Sequence, residues 1–168
     1  MKATIMYSHK AIKTTKAANL IKKAMGLKSL KDVDVDEISV KAMKNNDLLI
    51  LGSPSWFDGE LAGYWDELVP EIEDTDFSNT KIAIFGNGNQ KGYPENFGDA
   101  VGLLAEIFES SGATIIGKTS AKGYTFESSK ALVGDEFTGL ILDFENQRDM
   151  NESRVDRWTK DLLEELKK

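Results

Sequence analysis

Four short apolar segments recur along the chain, separated by stretches in which apolar residues follow a helical spacing. The segments are ATIMY (3–7), LLILG (48–52), IAIFG (82–86) and ATIIG (113–117). None of them alternates between apolar and polar residues as a half-exposed strand does, so each predicts a strand that is buried on both faces. A weaker, alternating run, DVDVDEI (32–38), favours an edge strand.

The stretches between these segments predict amphipathic helices. The first has an apolar face made of Ala17, Leu20, Ile21, Ala24 and Met25. Gly26 follows it and is expected to stop the helix. A second helix is predicted over 97–108, ended by Gly112, and a less regular one over 61–73. A terminal helix is predicted after Asn151 as its N-cap, with an apolar face of Val155, Trp158, Leu162 and Leu166.

Strands that alternate with helices predict a doubly wound α/β fold, in which helices cover both faces of a parallel sheet. A chain of 168 residues with 40% hydrophobic residues is expected to form one domain over 1–168. Such folds bind ligands beyond the carboxyl ends of the strands, near the point where the strand order reverses. This rule selects three loops, over 8–14, 53–60 and 87–94.

The chain has no cysteine and a single histidine, His9. Disulfides, thiolate metal sites and histidine-rich metal sites are therefore excluded, and no metal ligand is predicted. No apolar run approaches the ~18 residues of a membrane span, and the N-terminus lacks the apolar region of a signal peptide. We expect a cytoplasmic protein that does not insert into membranes.

Charge is distributed unevenly along the chain, whose net charge is −7. Residues 1–46 carry ten lysines and four acids, whereas 47–168 carry eleven basic residues and twenty-four acids. Nine acidic residues and no basic one lie between Asn46 and Thr80. This distribution disfavours a nucleic-acid partner and favours a basic protein partner. The alternative is a solvated acidic surface without a partner.

Two of the three loops carry an aromatic residue among polar residues and glycines. Trp56 lies in SPSWFDGE (53–60), and Tyr93 lies in GNGNQKGYPENF (86–97). Aromatic rings at the ends of neighbouring strands can enclose a flat heteroaromatic ring, and glycines let backbone groups approach its edges. A phosphate tail on that ligand would lie at the first loop, against the N-terminus of the next helix. Taken separately, each aromatic residue is equally well explained by packing.

Together with their flanking sequence, these loops resemble those of flavodoxins, specifically the long-chain kind that carries flavin mononucleotide (FMN). PSWFDGE is similar to the family's tryptophan loop, and FGNGNQKGY is similar to its tyrosine loop. The segment over about 123–147 resembles the insertion that splits the last strand of long-chain members. The resemblance implies a five-stranded parallel sheet with the strand order 2-1-3-4-5.

The resemblance also implies FMN as the cofactor, with its ring system between Trp56 and Tyr93. It implies that backbone groups of Trp56 to Gly59 and of Gly88 to Gln90 bind the edges of the ring. In flavodoxins one peptide of the tryptophan loop turns its carbonyl toward the flavin when the first electron arrives, and Phe57–Asp58 matches that peptide. No catalytic residue is implied. The implied cofactor-binding residues are Ser8, His9, Lys10, Ala11, Ile12, Lys13, Thr14, Ser53, Pro54, Ser55, Trp56, Phe57, Asp58, Gly59, Gly86, Asn87, Gly88, Asn89, Tyr93, Asn96 and Phe97.

The first loop departs from the family's pattern. Flavodoxins wrap the phosphate with a Thr-x-Thr-Gly-x-Thr turn, and only Thr14 of that motif is present here. Ile12 stands in the place of the glycine, and a β-branched residue is strained at positive φ. We predict a phosphate site in which Lys10 and Lys13 add charge to the loop's hydroxyls and amides. The alternative is a site of hydroxyls and amides alone, with both lysines solvated.

Three further residues differ from what the chemistry of such a site would lead one to expect. Phe57 stands where relatives often have glycine or a small polar residue. Asn89 stands where many relatives have aspartate, so one negative charge near the ring is missing. His9, a lone histidine in a loop, is predicted to be exposed and idle rather than catalytic.

The resemblance implies a low-potential one-electron carrier that works in place of ferredoxin and turns over no substrate of its own. Its expected partners are a photosystem, ferredoxin–NADP reductase-type proteins and other basic redox proteins, which a monomer would meet through its acidic surface. One alternative is a flavodoxin-like NAD(P)H:quinone reductase, and another is a flavin-free interaction protein of the same fold. A phosphorylation receiver domain is excluded, because Gly52–Ser53 stand where that domain needs an aspartate.

Overall fold

The computed structural model describes residues 1–56 and 58–168. Within these residues the strands are β1 (Ala3–Tyr7), β2 (Lys31–Asp34), β3 (Leu48–Trp56), β4 (Glu60–Leu61), β5 (Lys81–Asn87), β6 (Thr114–Ile116), β7 (Thr119–Ser120), β8 (Leu132–Val133), β9 (Glu136–Phe137) and β10 (Leu140–Leu142). The α-helices are α1 (Ile12–Met25), α2 (Val40–Met43), α3 (Gly63–Asp66), α4 (Val69–Glu73), α5 (Asp99–Ser110) and α6 (Asn151–Leu166).

The central sheet has the order β2-β1-β3-β5, and its fifth position is shared by β6 and β10. β6 pairs with the first half of β5 and β10 with the second half, and all of these pairs are parallel. Because β6 and β10 together occupy one position, the predicted order 2-1-3-4-5 is confirmed. The short strand β4 pairs antiparallel with the end of β3.

Helices cover both faces of the sheet, as predicted for a doubly wound α/β fold. α1 and α6 bury Ile21 and Trp158 on one face, and α3 and α5 bury Trp65 and Phe108 on the other. β1 is buried along its whole length, whereas β6 at the edge of the sheet leaves Thr114 exposed. Among the residues described, no helix combines the length and the apolar character needed to cross a membrane.

The bounds of some elements differ from those predicted. The edge strand expected over 32–38 stops at Asp34, because the Asp34 side chain accepts a hydrogen bond from Asp36 N (3.1 Å) and caps a 3₁₀ turn over 35–37. The helix expected over 61–73 is divided into α3 and α4, with Pro70 in the first turn of α4.

Of the helix ends predicted at Gly26 and Asn151, the first is confirmed and the second is wrong. Gly26 adopts a φ of 60° after α1 and ends that helix, as predicted. Asn151 is not the N-cap of the terminal helix, because it is the first residue of α6 and follows Met150 at the cap position. Its side-chain amide is buried and makes no hydrogen bond within the described part of the chain.

Between β6 and β10 the chain leaves the central sheet and forms what we call the inserted segment, residues 117–139. Here β7, β9 and β8 pair as a small antiparallel sheet. β10 returns to the central sheet at 140–142, inside the range of about 123–147 expected for the insertion. The observed excursion therefore begins and ends earlier in the sequence than that range.

The carboxyl ends of β1, β3, β5 and β10 lie at one edge of the sheet, because these strands are parallel. The loop predicted over 8–14 follows β1 and runs into α1. The loops predicted over 53–60 and 87–94 begin within β3 and β5, because β3 continues to Trp56 and β5 to Asn87. A fourth segment, over 143–147, follows β10 at the same edge. These four segments form the candidate site.

Candidate functional site

Two exposed aromatic side chains lie at this edge of the sheet. Trp56 ends β3 and is 40% exposed, and Tyr93 follows β5 and is 57% exposed. The Trp56 ring meets the Tyr64 ring edge to face, with 5.8 Å between centroids and 87° between planes. Gly63 lies against the same indole, since a Cβ there would stand 3.5 Å from it. The start of α3 therefore supports Trp56 on one side and leaves much of the indole accessible.

Two clefts open beside these rings, and all three predicted loops contribute to them. The smaller cleft, of about 180 Å³, is lined by Lys13, Ser55, Asn87, Gly88, Asn89, Tyr93 and Asn96. The larger cleft, of about 400 Å³, is lined by Ser8, Lys10, Ala11, Asp36, Trp56 and Tyr64. Tyr93 thus belongs to one cleft and Trp56 to the other.

The third loop is anchored by Asp143, the residue that follows β10. Its fully buried carboxylate accepts hydrogen bonds from Gln90 N (3.0 Å) and Gln90 Nε2 (2.9 Å). It also accepts from Asn146 N and Asn146 Nδ2, both at 2.9 Å. Burial alone raises the pKa of Asp143, but the hydrogen bonds outweigh burial and lower this pKa below its ordinary value. A buried negative charge therefore holds the backbone at Gln90.

Asn96 and Ser55 join the second and third loops to α5. With its amide oriented to donate, Asn96 Nδ2 lies 3.0 Å from the Asp58 carbonyl oxygen and 3.3 Å from Asp99 Oδ2. Ser55 Oγ accepts a backbone N–H at the start of α5 (3.0 Å). Gly59 has a φ of 87° and faces Asp99 so closely that a Cβ would stand 2.3 Å from Oδ2. Position 59 therefore requires glycine.

The first loop leads into α1, whose first residue is Ile12. Because Ile12 is helical, this loop avoids the positive-φ turn that a glycine would allow. Ala11 precedes the helix, and no side chain caps the first turn. The amides of that turn have no acceptor within the helix and carry its positive dipole end. Thr15 Oγ1 is buried there without a hydrogen bond among the described residues.

Cations and hydroxyls surround this helix start. The Lys13 ammonium lines the smaller cleft and pairs with the Glu145 carboxylate. Lys10 lines the larger cleft. Thr14 Oγ1 donates to Asn87 Oδ1 at 3.3 Å, which connects the first and third loops. An uncapped helix start, an orphaned hydroxyl and two lysines form a donor set that fits a phosphate group.

His9 is exposed as predicted, but it is not idle in its contacts. Its Nε2 lies 2.9 Å from Asp32 Oδ1, and Asp32 also accepts a hydrogen bond from the Tyr7 hydroxyl (3.0 Å). The Tyr7 and His9 rings pack with 4.8 Å between their centroids. These contacts tie the first loop to β2. They give His9 a structural role that the sequence did not indicate.

The remaining predicted residues lie beneath or beside the clefts. Ser53 and Gly86 are buried within β3 and β5, and Pro54 is half-buried in β3. Phe97 is fully buried and stacks on Phe126 of the inserted segment, with 5.2 Å between centroids. Phe57 lies outside the described residues, and so does the peptide turn expected at Phe57–Asp58.

Sequence reasoning missed several residues that support the site, namely Asp143, Asn146, Glu145 and Tyr64. It included the backbone of Gln90 but not the hydrogen bonds that join Gln90 to Asp143. Gln90 and Asp143 are 53 positions apart, so no local motif joins them. One usable signal was an aspartate directly after the apolar run LIL (140–142), which places a carboxylate at the binding edge of the sheet. No comparable signal marked Tyr64.

Comparison with known sequences agrees with this geometry. A sequence model described as Flavodoxin matches residues 5–158. The chain belongs to the flavodoxin family. It is 40% identical over 155 residues to a flavodoxin of Klebsiella pneumoniae, covering 91% of this chain and 88% of that protein. It is 37% identical over 165 residues to a flavodoxin of Nostoc sp., covering 98% of this chain and 97% of that protein.

Solved structures of flavodoxins share the same architecture. The Fusobacterium nucleatum flavodoxin bound to flavin mononucleotide superposes with a TM-score of 0.90 at 28% identity, and 97% of each chain is covered. Oxidised flavodoxin 1 of Bacillus cereus, at 19% identity, has a TM-score of 0.74 with 98% of each chain covered, which supports the fold alone. The resemblance to flavodoxins and the fold class predicted from the sequence are confirmed.

Proposed function

We propose that this flavodoxin carries single electrons at low potential through bound FMN, between a reductase or photosystem and acceptor enzymes, in place of ferredoxin. The observation that carries this proposal is the pair of exposed rings, Trp56 and Tyr93, at the ends of the neighbouring strands β3 and β5. A flavodoxin of closely similar fold, that of F. nucleatum, is bound to FMN in its crystal structure. Membership of the family favours neither the quinone reductase nor the flavin-free alternative.

The ring system would be held between Trp56 and Tyr93, with backbone groups of 58–59 and 88–90 at its edges. Gly88 lets the third loop pack closely on Phe97, because a Cβ at Gly88 would stand 2.6 Å from the Phe97 ring. Asp143 fixes Gln90 and so limits how far the third loop can move. The polar cleft beside Tyr93 offers backbone and amide groups to a heteroaromatic edge.

The phosphate would lie against the start of α1. Its donors there are the uncapped amides of the first turn and the hydroxyls of Ser8, Thr14 and Thr15, of which Thr15 Oγ1 is an orphan among the described residues. Lys10 and Lys13 add positive charge from the two clefts. Since Lys13 is paired with Glu145, the phosphate must share or replace that carboxylate as its partner. Charge-assisted contacts of this kind offset the hydrogen bonds that the missing threonines would have made.

FMN supplies the one-electron chemistry when it is bound, and the residues of this chain set the conditions for it. The two aromatic rings exclude water from the faces of the ring system. The chain carries a net charge of −7, and Asp143 is held ionised beneath the third loop. A negative environment opposes the addition of negative charge to the cofactor, which lowers its reduction potential.

Partner docking would use what we call the acidic surface, whose exposed carboxylates are Asp58, Glu60, Asp66, Glu67, Glu71, Glu73, Asp74 and Asp76. None of these eight residues forms an ion pair within the described part of the chain. The surface begins two residues after Trp56, so a basic partner bound there would face the exposed ring edge. We propose ferredoxin–NADP reductase-type partners, a monomeric carrier and a cytoplasmic location.

The visible spectrum of the purified protein, followed by an FMN titration of its apoprotein, tests this function. We expect a flavin spectrum, binding of one FMN per chain, and reduction in two separate one-electron steps. A colourless protein that takes up no FMN in low-salt buffer would contradict the proposal and leave only the fold.

A second measurement separates the carrier from an enzyme. The carrier should not consume NAD(P)H by itself, but should accept electrons once a reductase is added. Steady NAD(P)H oxidation with a quinone and no added reductase would instead identify a quinone reductase.

A further inference from the structure

Asp32 lies at the centre of a polar cluster beside the first loop, which we call the Asp32 cluster (Tyr7, His9, Lys22 and Asp32). The Tyr7 hydroxyl donates to Asp32 Oδ2 at 3.0 Å, and His9 Nε2 lies 2.9 Å from Asp32 Oδ1. The Lys22 ammonium also donates to Oδ2. Tyr7 ends β1, His9 belongs to the first loop and Lys22 belongs to α1. One carboxylate of β2 therefore connects the end of β1, the first loop and the last turn of α1.

The pKa shifts of Asp32 and Tyr7 favour an ionised Asp32 carboxylate and a protonated Tyr7 hydroxyl. Partial burial of Asp32 raises the pKa of its carboxyl, but the hydrogen bonds from Lys22, His9 and Tyr7 outweigh burial and lower the pKa below its ordinary value. Burial and the neighbouring Asp32 raise the pKa of Tyr7, so its hydroxyl stays a donor. Asp32 is thus an ionised acceptor facing three donors.

His9 is the part of the first loop on which this cluster acts. Besides its contact with Asp32, its Nδ1 lies 3.8 Å from Asp34 Oδ2, and its ring packs on Tyr7. The loop has no glycine, and α1 has no side-chain cap. Within the loop, the turn is closed by a hydrogen bond from Ala11 N to the Ser8 carbonyl (3.0 Å). Anchoring through His9 therefore restrains a loop that no side-chain cap of α1 restrains.

We propose that Asp32 is a positioning residue for the phosphate group of the cofactor, acting through His9 to hold the first loop where its amides and hydroxyls receive that group. The inference rests on the proposed function, because it requires FMN at this loop. Asp32 itself does not bind the phosphate, since two negative charges repel each other. Asp32 affects the affinity for FMN in two opposing ways. It positions the loop, which strengthens phosphate binding, and its negative charge repels the phosphate, which weakens binding. The contacts of Lys22 and His9 with Asp32 reduce this repulsion.

Comparing FMN with riboflavin isolates the phosphate contribution, because riboflavin has the same ring system and no phosphate. Dissociation constants of both flavins are measured for the wild type, Asp32→Asn, His9→Ala and the double variant. For each single variant we expect the FMN constant to rise about tenfold, the effect of losing a hydrogen bond to a charged group. The riboflavin constant should stay within about twofold. Both single variants remove the same contact, between His9 and Asp32. The double variant should therefore bind FMN no more weakly than whichever single variant has the lower FMN affinity.

A matched control removes a charge from the same region without touching the loop. Glu37→Gln, at an exposed acid of the following 3₁₀ turn, should leave both constants unchanged. Equal weakening of FMN and riboflavin, unchanged or tighter FMN binding in Asp32→Asn, or additive losses would each overturn the inference. A wild type that binds neither flavin would refute the proposed function itself. If Asp32→Asn does not fold, the test uses His9→Ala. A loss of FMN affinity without a matching loss of riboflavin affinity in that variant supports the inference, and an equal loss of both contradicts it.

Discussion

Each loop of this flavodoxin's candidate site depends on one aspartate from a neighbouring element. Asp32 of β2 contacts the first loop, Asp99 of α5 lies against Gly59 in the second, and Asp143 after β10 holds the third. Asp99 also accepts a hydrogen bond from Lys130 N (2.8 Å), which adds the inserted segment. A carboxylate can accept several hydrogen bonds at once, so a single residue can fix an irregular backbone that has no ladder of its own.

Replacing Asp143 with asparagine should lower the free energy of unfolding at pH 7 by about 1–3 kcal/mol, because Gln90 and Asn146 lose an ionised acceptor. The pKa of Asp143 is lower in the folded protein than its ordinary value of 3.8. Its stabilising contribution is therefore present above that value and is lost as the pH falls through the lowered pKa. Urea unfolding of both proteins at pH 7 and at about pH 3 should show the difference shrinking in acid.

A control for this experiment is Asp135→Asn, at an exposed aspartate of the inserted segment. It should change the unfolding free energy little at either pH. A difference between wild type and Asp143→Asn that stays constant with pH would contradict the role assigned to the ionised carboxylate.

Lys10→Ala and Lys13→Ala should each weaken FMN binding about three- to tenfold at low ionic strength, because each removes a cation beside the phosphate. Added salt should reduce this loss, since it screens partly exposed charges. FMN titrations at low and high salt measure both effects, and Lys16→Ala, at an exposed position of α1, is the control. If neither salt nor these substitutions changed FMN affinity, the phosphate would be held by hydroxyls and amides alone.

Among the elements, the inserted segment is braced against α6 and the core by Tyr124 and Arg154. The Arg154 guanidinium lies 3.8 Å from the centroid of the Tyr124 ring and donates to Gln147 Oε1 at 2.7 Å. The Tyr124 hydroxyl donates to the Ile141 carbonyl at 2.6 Å, and burial raises the pKa of Tyr124 to about 12. The hydroxyl therefore remains a donor, and the inserted segment is joined both to β10 and to the terminal helix.

Arg154→Gln should lower the free energy of unfolding by about 1–2 kcal/mol, through loss of the cation–π contact and the hydrogen bonds. Amide hydrogen exchange should rise over 117–139 more than elsewhere, because that segment loses one of its ties to α6, while those of Trp158 and Glu165 to Gly117 remain. Arg157→Gln, at an exposed arginine of the same helix, is the control and should change neither measurement. Faster exchange spread evenly over the chain would argue against a local brace.

At the scale of the whole molecule, the first part of the sequence is net basic and the rest is net acidic. Residues 1–46 have six more basic than acidic residues, and the acidic surface has eight carboxylates without ion pairs among the described residues. Under the proposed function, this negative field would steer a basic partner to one side of the carrier. The exposed rings Trp56 and Tyr93 lie at the sheet edge that the acidic surface borders.

Electron transfer to a basic reductase should therefore slow as ionic strength rises, because screening weakens the attraction between the two proteins. Asp66→Asn combined with Glu67→Gln should reduce the rate at low salt and flatten its salt dependence. Asp156→Asn combined with Asp161→Asn removes the same charge from exposed positions of α6 and should have a smaller effect. Stopped-flow rates at several salt concentrations measure this, and a flat response in the wild type would remove the docking argument.

The hydrophobic pattern alone determined the main strands, the helices that separate them, and the three loops of the candidate site. Periodicity is a local property, so segments such as ATIMY and LLILG are recognisable without knowledge of their neighbours. The two aromatic residues could be identified because parallel strands place all their following loops at one edge. The strand ending at Asp34 and the division of the helix over 61–73 could not be read from that pattern, since capping and proline override it locally.

Only the tertiary structure decided which side chains hold the loops. The partners of Gln90, His9 and Gly59 are Asp143, Asp32 and Asp99, which lie 53, 23 and 40 positions away along the chain. No sequence pattern links such pairs, because their contact depends on the strand order and on how β6 and β10 share one position. Local chemistry therefore determined where a flavin could lie, and long-range packing decided how firmly its loops are held.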